Sequence, residues 1–458
     1  SAPARAVQPS GGSPPHPPAD TPLTMDLLTL ALLLLVLLCM LLGAGLWISM
    51  SLAAVGWVAM TMVHPTPGLF LASAFWESTG SWTLAALPMF VWMGEILFRT
   101  KLSEELFNGL APWVRRIPGG LLHVNILACG IFGSVSGSSA ATCATVSKIA
   151  LPELRKRGYD EDVAIGSLAT SGTLGILIPP SIIMVVYAVA AEVSIIRVFI
   201  AGCLPGLIVM LLFSGYIVIW ALLNPAKQPP QDARIPFLAK LRQSAQLIPC
   251  ALLIIGVIGT MFVGWATATE AAAFGVLGSL LLAAVTGTLT WQSFLDSLKG
   301  ATRLSCMIMF ILAGAAFLTK AMALTGIPAA LAQAVAAADL GPYGIIAILT
   351  VVYILLGTAL DGVSMIVLTT SVVIPMVQHA GFDLVWFGIF IVLLVEIAEI
   401  TPPVGFNLFV MQTMTGKEQT EVAMASLPFF LCLVLTVVLC TLFPVTLVTG
   451  LPEWLLAR

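Results

Sequence analysis

Long apolar runs alternate along the chain with short polar interruptions, and each run approaches the ~20 residues that a helix needs to cross a bilayer. The first, Leu27 to Val63, is too long for one crossing, and Gly43-Ala44-Gly45 offers a tight turn between two. Further spans read at about 84–98, 162–190, 197–221, 246–264, 268–288, 302–325, 384–415 and 422–447. Two more apolar stretches, 119–151 and 342–375, are also too long for one crossing, and small polar residues break each in the middle. The pattern predicts an all-α polytopic membrane protein with about ten transmembrane helices.

Composition agrees with the pattern. Of the 458 residues 59% are hydrophobic and 9% charged, where a soluble domain carries about 25% charged residues. A net charge of −3 gives no footprint for nucleic acid. The eight cysteines fall in apolar stretches without CxxC or CxxH spacing, so they read as packing residues. Residues 1–24 are proline-rich with few large apolar side chains, which predicts a disordered tail or linker. They lack the basic, apolar and small-residue order of a signal peptide, and Met25 stands where a natural start is expected.

The basic residues orient the spans. Most of them fall in 99–116, 155–157, 227–242, 299–303 and at Lys417. All of these lie on one face, the cytoplasmic one, only if 119–151 enters and leaves from that side. The flanks of 342–375 hold almost no Lys or Arg, so that stretch enters and leaves from the other side. Both stretches therefore read as re-entrant hairpins, and both termini are expected to be periplasmic.

A repeat underlies this arrangement. Residues 151–160 (LPELRKRGYD) match 374–383 (IPMVQHAGFD) at a spacing of 223, and Pro179-Pro180 matches Pro402-Pro403 at the same spacing. Upstream, Gly80, Met89, Phe90 and Gly94 match Gly300, Met309, Phe310 and Gly314 at a spacing of 220. The first copy of the loop carries three basic residues and the second none, so the copies are expected on opposite faces. That is an inverted-topology repeat, characteristic of secondary transporters. The halves divide at 25–224, with hairpin 119–151 and broken helix 162–190, and 246–458, with hairpin 342–375 and broken helix 384–415. A cytoplasmic linker, 225–245, joins them.

Each half carries a polar hairpin tip (133–142 and 357–364) and a helix interrupted by the diproline. Proline lacks an N–H and disfavours a helical predecessor, so nearby carbonyls lose helical partners. In a membrane those oxygens need another partner, and Na+ suits them. Opposed helix N-termini favour an anionic substrate. Taken singly, Gly, Ser and Thr read as close helix packing; the four-part arrangement, repeated with inversion, reads as a site. Among acids at membrane depth, Asp361 lies at the second tip, and Glu396 and Glu399 share a helix face before Thr401, so these three are candidates for the cation site. Glu95, Lys148, Glu270 and Lys320 read as snorkelling or structurally paired, and the four histidines show no ligand spacing. The stretch 101–116 reads as an amphipathic surface helix, and Trp291, Phe294, Leu295 and Leu298 suggest another. No GxxxxGK[ST] occurs, so no ATP hydrolysis is expected.

At these motifs (SGSSAAT at 136–142, LPELRKRGYD at 151–160, GTLGILIPPS at 172–181, the tip from Asp361 to Ser364, and TPPVGFNLFV at 401–410) the sequence resembles the large membrane subunit of tripartite ATP-independent periplasmic (TRAP) transporters. The resemblance covers essentially all of 25–450. It implies an elevator-type importer of the ion transporter superfamily, with scaffold and transport domains, in the bacterial cytoplasmic (inner) membrane. It also implies Na+ coupling through two or more ions, and an organic acid delivered by a periplasmic binding protein. A small four-helix membrane subunit is the implied partner, with membrane lipid around both. Carried onto this chain, one Na+ site involves Ser136, Ser138, Ser139, Gly172 and Ile178, with the carbonyls before Pro179. A second involves Gly357, Asp361, Glu399 and Thr401, with the carbonyls before Pro402. Substrate lies between the hairpin tips, at Ser138, Ser139, Thr173, Pro180, Ser181, Gly362, Ser364, Pro403 and Asn407. A stand-alone dicarboxylate or anion:Na+ symporter of the same superfamily is the alternative. A membrane-embedded enzyme would need a catalytic pair, and no GxSxG, HExxH or paired in-membrane Asp motif occurs.

Overall fold

The computed structural model describes residues 27–229, 236–337, 341–357 and 360–456; the expected tail at 1–24 lies outside them. Its regular structure is helical, with no strand among the described residues. The first half runs α1 (Leu27–Gly43), α2 (Ile48–Val63), α3 (Pro67–Thr79), α4 (Ala86–Phe98) and α5 (Leu102–Val114). The hairpin arms α6 (Leu122–Ser136) and α7 (Ser139–Arg157) follow, then the interrupted α8 (Glu161–Ser171), α9 (Leu174–Leu177) and α10 (Ile182–Ala190), and α11 (Ile195–Leu223). After α12 (Phe237–Ser244) come α13 (Ile248–Phe262), α14 (Ala268–Val285), α15 (Trp291–Thr325) and α16 (Ile327–Ala337). The second hairpin is α17 (Gly341–Gly357) and α18 (Gly362–His379), followed by α19 (Leu384–Glu399), α20 (Phe406–Thr415), α21 (Gln419–Leu442) and α22 (Gly450–Leu456).

Local chemistry explains why the two series match. The arm α7 is capped by Ser138, which accepts from the Ala141 N–H, and α18 is capped by Asp361, which accepts from the Ser364 N–H. Both caps satisfy helix-end donors that have no partner within the helix. The repeated glycine–aromatic–Asp serves the next turn: Gly158 (φ 78°) and Gly381 (φ 81°) take the left-handed conformation, which costs glycine little. Asp160 and Asp383 then cap α8 and α19. Both diprolines, Pro179-Pro180 and Pro402-Pro403, have a cis peptide bond.

The halves pack reciprocally. α15 of the second half lies along α2 and α4 of the first, and α4 in turn lies along α14. Small residues permit the first approach: a Cβ on Gly314 would sit 2.6 Å from the Ser49 carbonyl oxygen, and the Ser49 hydroxyl donates to the Phe310 carbonyl at 2.5 Å. This is how membrane helices associate without a hydrophobic driving force between them. Among the helices longer than one turn the most deeply buried is α19, where Trp386, Phe387, Phe390 and Leu394 are almost wholly enclosed. Tyr187 of α10 donates to the Leu384 carbonyl at 2.6 Å, which ties the halves together there.

Among the described residues six helices are long and apolar enough to cross a membrane, or eight if each bent pair is one span, and shorter apolar helices, α1 and α2 among them, add to these. Three features differ from the sequence reading. Helix α3 was not anticipated; it bends by 51° into the segment ending at Phe98. The hairpins' second arms extend to Arg157 and His379, through Pro152 and Pro375. Trp291, Phe294, Leu295 and Leu298 form no separate surface helix. They are the first turns of the 35-residue α15, whose length of about 52 Å exceeds the ~30 Å hydrocarbon core.

Of the other charged candidates Glu95, Glu270 and Lys320 find structural partners, and Lys148 is exposed. Glu95 pairs with Arg99, and Lys320 meets Glu77 at 2.5 Å. Glu270 completes a capping box with Thr267. Outside the helices, Lys417 meets Asp162 at 2.8 Å, and the hydrogen bond to that carboxylate holds its ammonium above the ordinary lysine value.

The orientation of the repeat has a direct test. Cysteines introduced at the exposed Lys156 and Gln378, with Cys39 and Cys306 replaced, are expected to react with an impermeant maleimide from opposite sides of sealed vesicles. Labelling from one side would refute the inversion.

Candidate functional site

The two hairpin tips meet in one cleft. Gly137, Ser138, Ser139 and Ala140 come from the first tip, and Asp361, Gly362 and Val363 from the second. The interrupted helices supply Ile176, Ile182, Ile183, Glu399 and Phe406, and α15 closes a side with Leu304, Met307 and Ile308. The cavity is about 170 Å³, smaller than the ~300–1,000 Å³ of pockets for drug-sized ligands, and suited to a small molecule.

Its electrostatics follow from where helices start and stop. α7 and α18 begin at the cleft, so their first-turn N–H groups and positive dipole ends face one region. α19 ends there at Glu399, and its negative end adds to the carboxylates of Asp361 and Glu399. The site thus combines anion-favouring N-termini with two acids in mostly apolar walls. An anion entering beside two carboxylates is repelled unless a positive charge accompanies it.

A polar link joins the halves at the cleft floor. The Asn407 amide donates to Ser139 Oγ at 2.8 Å and to the Ala169 carbonyl at 2.9 Å. The Ser139 and Glu399 side chains line the same cleft beside this link. Glu399 Oε2, Asn407 Oδ1 and both oxygens of Glu396 are buried without a protein partner. Buried oxygens in a folded protein normally have one, so these atoms have capacity for a hard cation or a proton.

Of the sequence-derived first cation set, Ser138 and Ser139 line the cleft. The Ser136 hydroxyl shares a 2.7 Å bond with Thr142 at the tip. Gly172 backs onto Asn407, where a Cβ would lie 3.0 Å from the amide nitrogen. The Ile178 side chain packs toward Gly130 and Gly206, on α6 and α11. In the second set, Asp361 and Glu399 line the cleft. Gly357 lies against Ala398, with room for no Cβ. The Thr401 hydroxyl donates to the Ile397 carbonyl at 2.6 Å.

Among the substrate candidates, Ser138, Ser139 and Gly362 line the cleft. Thr173, Ser181 and Ser364 direct their hydroxyls to Thr170, Ile176 and Asp361 respectively. Pro180 is buried; Pro403 is exposed, with its carbonyl accepting from Gln419. Thr358 and Ala359 of the second tip lie outside the described residues. Sequence reasoning passed over Leu304, Met307 and Ile308, which look like any lipid-facing residues. Ile182, Ile183 and Phe406 had a usable signal, since each follows its diproline by two or three positions.

Known proteins resemble this chain along most of its length. The family model of the DctM component of tripartite ATP-independent periplasmic transporters matches residues 33–446. The C4-dicarboxylate TRAP transporter large permease protein DctM of Pseudomonas aeruginosa is 32% identical over 406 residues, 88% of this chain and 94% of that protein. The ectoine/5-hydroxyectoine TRAP transporter large permease protein UehC of Ruegeria pomeroyi is 32% identical over 365 residues, covering 79% and 84%. Among solved structures, the YdaH transporter of Alcanivorax borkumensis superposes with a TM-score of 0.62 at 13% identity, covering 87% of this chain and 96% of that one. That likeness establishes the fold of a membrane transporter.

Proposed function

The chain belongs to the DctM component family of tripartite ATP-independent periplasmic transporters, and from that membership we propose that it imports an organic acid coupled to Na+. In this reading it is a multi-pass permease of the bacterial inner membrane with both termini periplasmic. A periplasmic binding protein delivers the substrate, and a small membrane subunit completes the assembly. The hairpins and interrupted helices move as a transport unit, by an elevator step, against a scaffold built on α2, α4, α14 and α15.

The observation that carries the proposal is the cleft itself. Helix N-termini that favour an anion converge on the same small cavity as two carboxylates and the unpartnered Glu399 Oε2. Cation binding there resolves the repulsion that an anion would meet, which makes binding of the two interdependent. The nearby oxygen donors, from Ser138, Ser139, Thr401 and Asn407, fit Na+ as cargo. Relatives named for C4-dicarboxylates and for ectoine support small carboxylates as the substrate class.

The test is uptake by proteoliposomes. Chain, small subunit and binding protein together are expected to accumulate labelled succinate or another small carboxylate when Na+ is higher outside. An equal K+ gradient is expected to give none. Accumulation without Na+ would overturn the coupling. Full uptake by the chain alone would overturn the tripartite reading and favour a stand-alone symporter.

A further inference from the structure

A second cavity of about 370 Å³ lies between α17, α19 and α21 and is open on one side. Ile346 and Ile354 line it from α17, Phe390 and Leu394 from α19, and Val434 and Val438 from α21. Two threonines share this wall, but Thr350 and Thr441 each donate their hydroxyl to their own helix, to Ile346 and Val437, at 2.8 Å. The groove therefore offers hydrocarbon to whatever fills it. Flanking it, Val351 of α17 and Leu431 and Leu435 of α21 are exposed, so it opens onto surface already suited to lipid tails.

Depth and length identify the occupant. One end holds Tyr343, Thr441 and Leu442. α21 stops at Leu442, and Trp386, near the start of α19, donates to the Cys440 carbonyl at 2.8 Å. This end therefore lies where the helices leave the hydrocarbon. Tyr343, 61% exposed, suits that interface. The inner end holds Ile354 and Ile397. From Tyr343 to Ile354 the helix rises about 16 Å, half of a ~30 Å hydrocarbon core and so the depth of one leaflet.

We propose that this groove is a lipid site holding one acyl chain of a phospholipid from the leaflet at the Tyr343 end. The chain braces the first arm of the second hairpin. The inner end of the groove adjoins the place where Gly357 packs on Ala398, just before Asp361 and Glu399 enter the transport cleft. An occupant of the groove thus bears on the hairpin that carries the second half of that cleft.

Photolabelling tests the assignment. The purified full chain is reconstituted in phosphatidylethanolamine vesicles doped with a phospholipid bearing a mid-chain diazirine, irradiated and mapped by peptide. Per-residue label on groove residues is expected to exceed that on Leu277 and Leu281, the exposed face of α14, by at least about fivefold, the ratio for a preference near 1 kcal/mol. Ala347→Trp, which fills the groove, is expected to reduce groove label to the α14 level and leave α14 label unchanged. Val438→Phe, from the opposite wall, provides the same test if Ala347→Trp does not fold. Groove label no higher than α14 label in the wild-type chain, or label that a folded filling variant leaves intact, overturns the proposal.

Discussion

Asp361→Asn is expected to reduce Na+-driven uptake by about 10–100-fold, the loss of one charge-assisted interaction of ~1.5–3 kcal/mol. Its effect on folding is expected to be small. The two consequences separate because Asp361 has two jobs. It caps α18 by accepting from the Ser364 N–H, and its carboxylate lines the cleft. Asparagine caps a helix about as well as aspartate, so the substitution keeps the cap while it removes the charge and one of the two oxygens that accept from Ser364. Asp361→Ala removes both, and should also cost ~1 kcal/mol of stability for the lost cap. Uptake by Asp361→Asn at the wild-type rate, with a normal Na+ dependence, would show that the carboxylate is not used.

Gly133→Val is expected to lower the melting temperature of the detergent-purified protein by several degrees and to abolish transport. α6 and α9 touch there through two glycines: a Cβ on Gly133 would sit 2.5 Å from Gly175 Cα, backbone that has no side chain to move aside. Overpacking of this kind costs ~1–3 kcal/mol where side chains can adjust, and more where backbone must shift. The shift would separate the first hairpin from the interrupted helix and disturb the cleft. Gly215→Val, at a position with nothing within 4 Å, is the matched control and is expected to leave both properties unchanged. An unaffected melting temperature for Gly133→Val would mean that the hairpin is not wedged against α9.

What the sequence could reveal depended on whether a residue's role left a chemical mark. The hairpin tips, the diprolines and the glycine–aromatic–Asp turns were legible because polar or special residues stood where lipid demands apolar ones. Asp361, Glu396 and Glu399 stood out by that logic; Asp361 and Glu399 line one cleft, and Glu396 is buried within α19. Helix α3 falls between the spans because Pro65, Pro67 and its final Glu-Ser-Thr leave too short an apolar run for a crossing, although Pro67 sits where helices tolerate proline best. The contribution of α15 to the cleft was invisible, since nothing distinguishes Leu304 or Met307 from a residue facing lipid. The link from Asn407 to Ser139 joins residues 268 positions apart. Each was singled out alone, but only packing of the halves reveals that they touch.

Accumulation at equilibrium tests the central claim most directly. In proteoliposomes holding the complete assembly, with the membrane potential clamped at zero, a tenfold Na+ gradient stores about 1.4 kcal/mol per coupled ion. Two or more ions moving with each substrate would therefore raise the internal-to-external substrate ratio about a hundredfold or more for each tenfold step in Na+. A logarithmic plot of the two ratios is predicted to have a slope of at least two. A slope of zero would contradict Na+-coupled import, and a slope of one would contradict a cleft that carries cation sites from both halves.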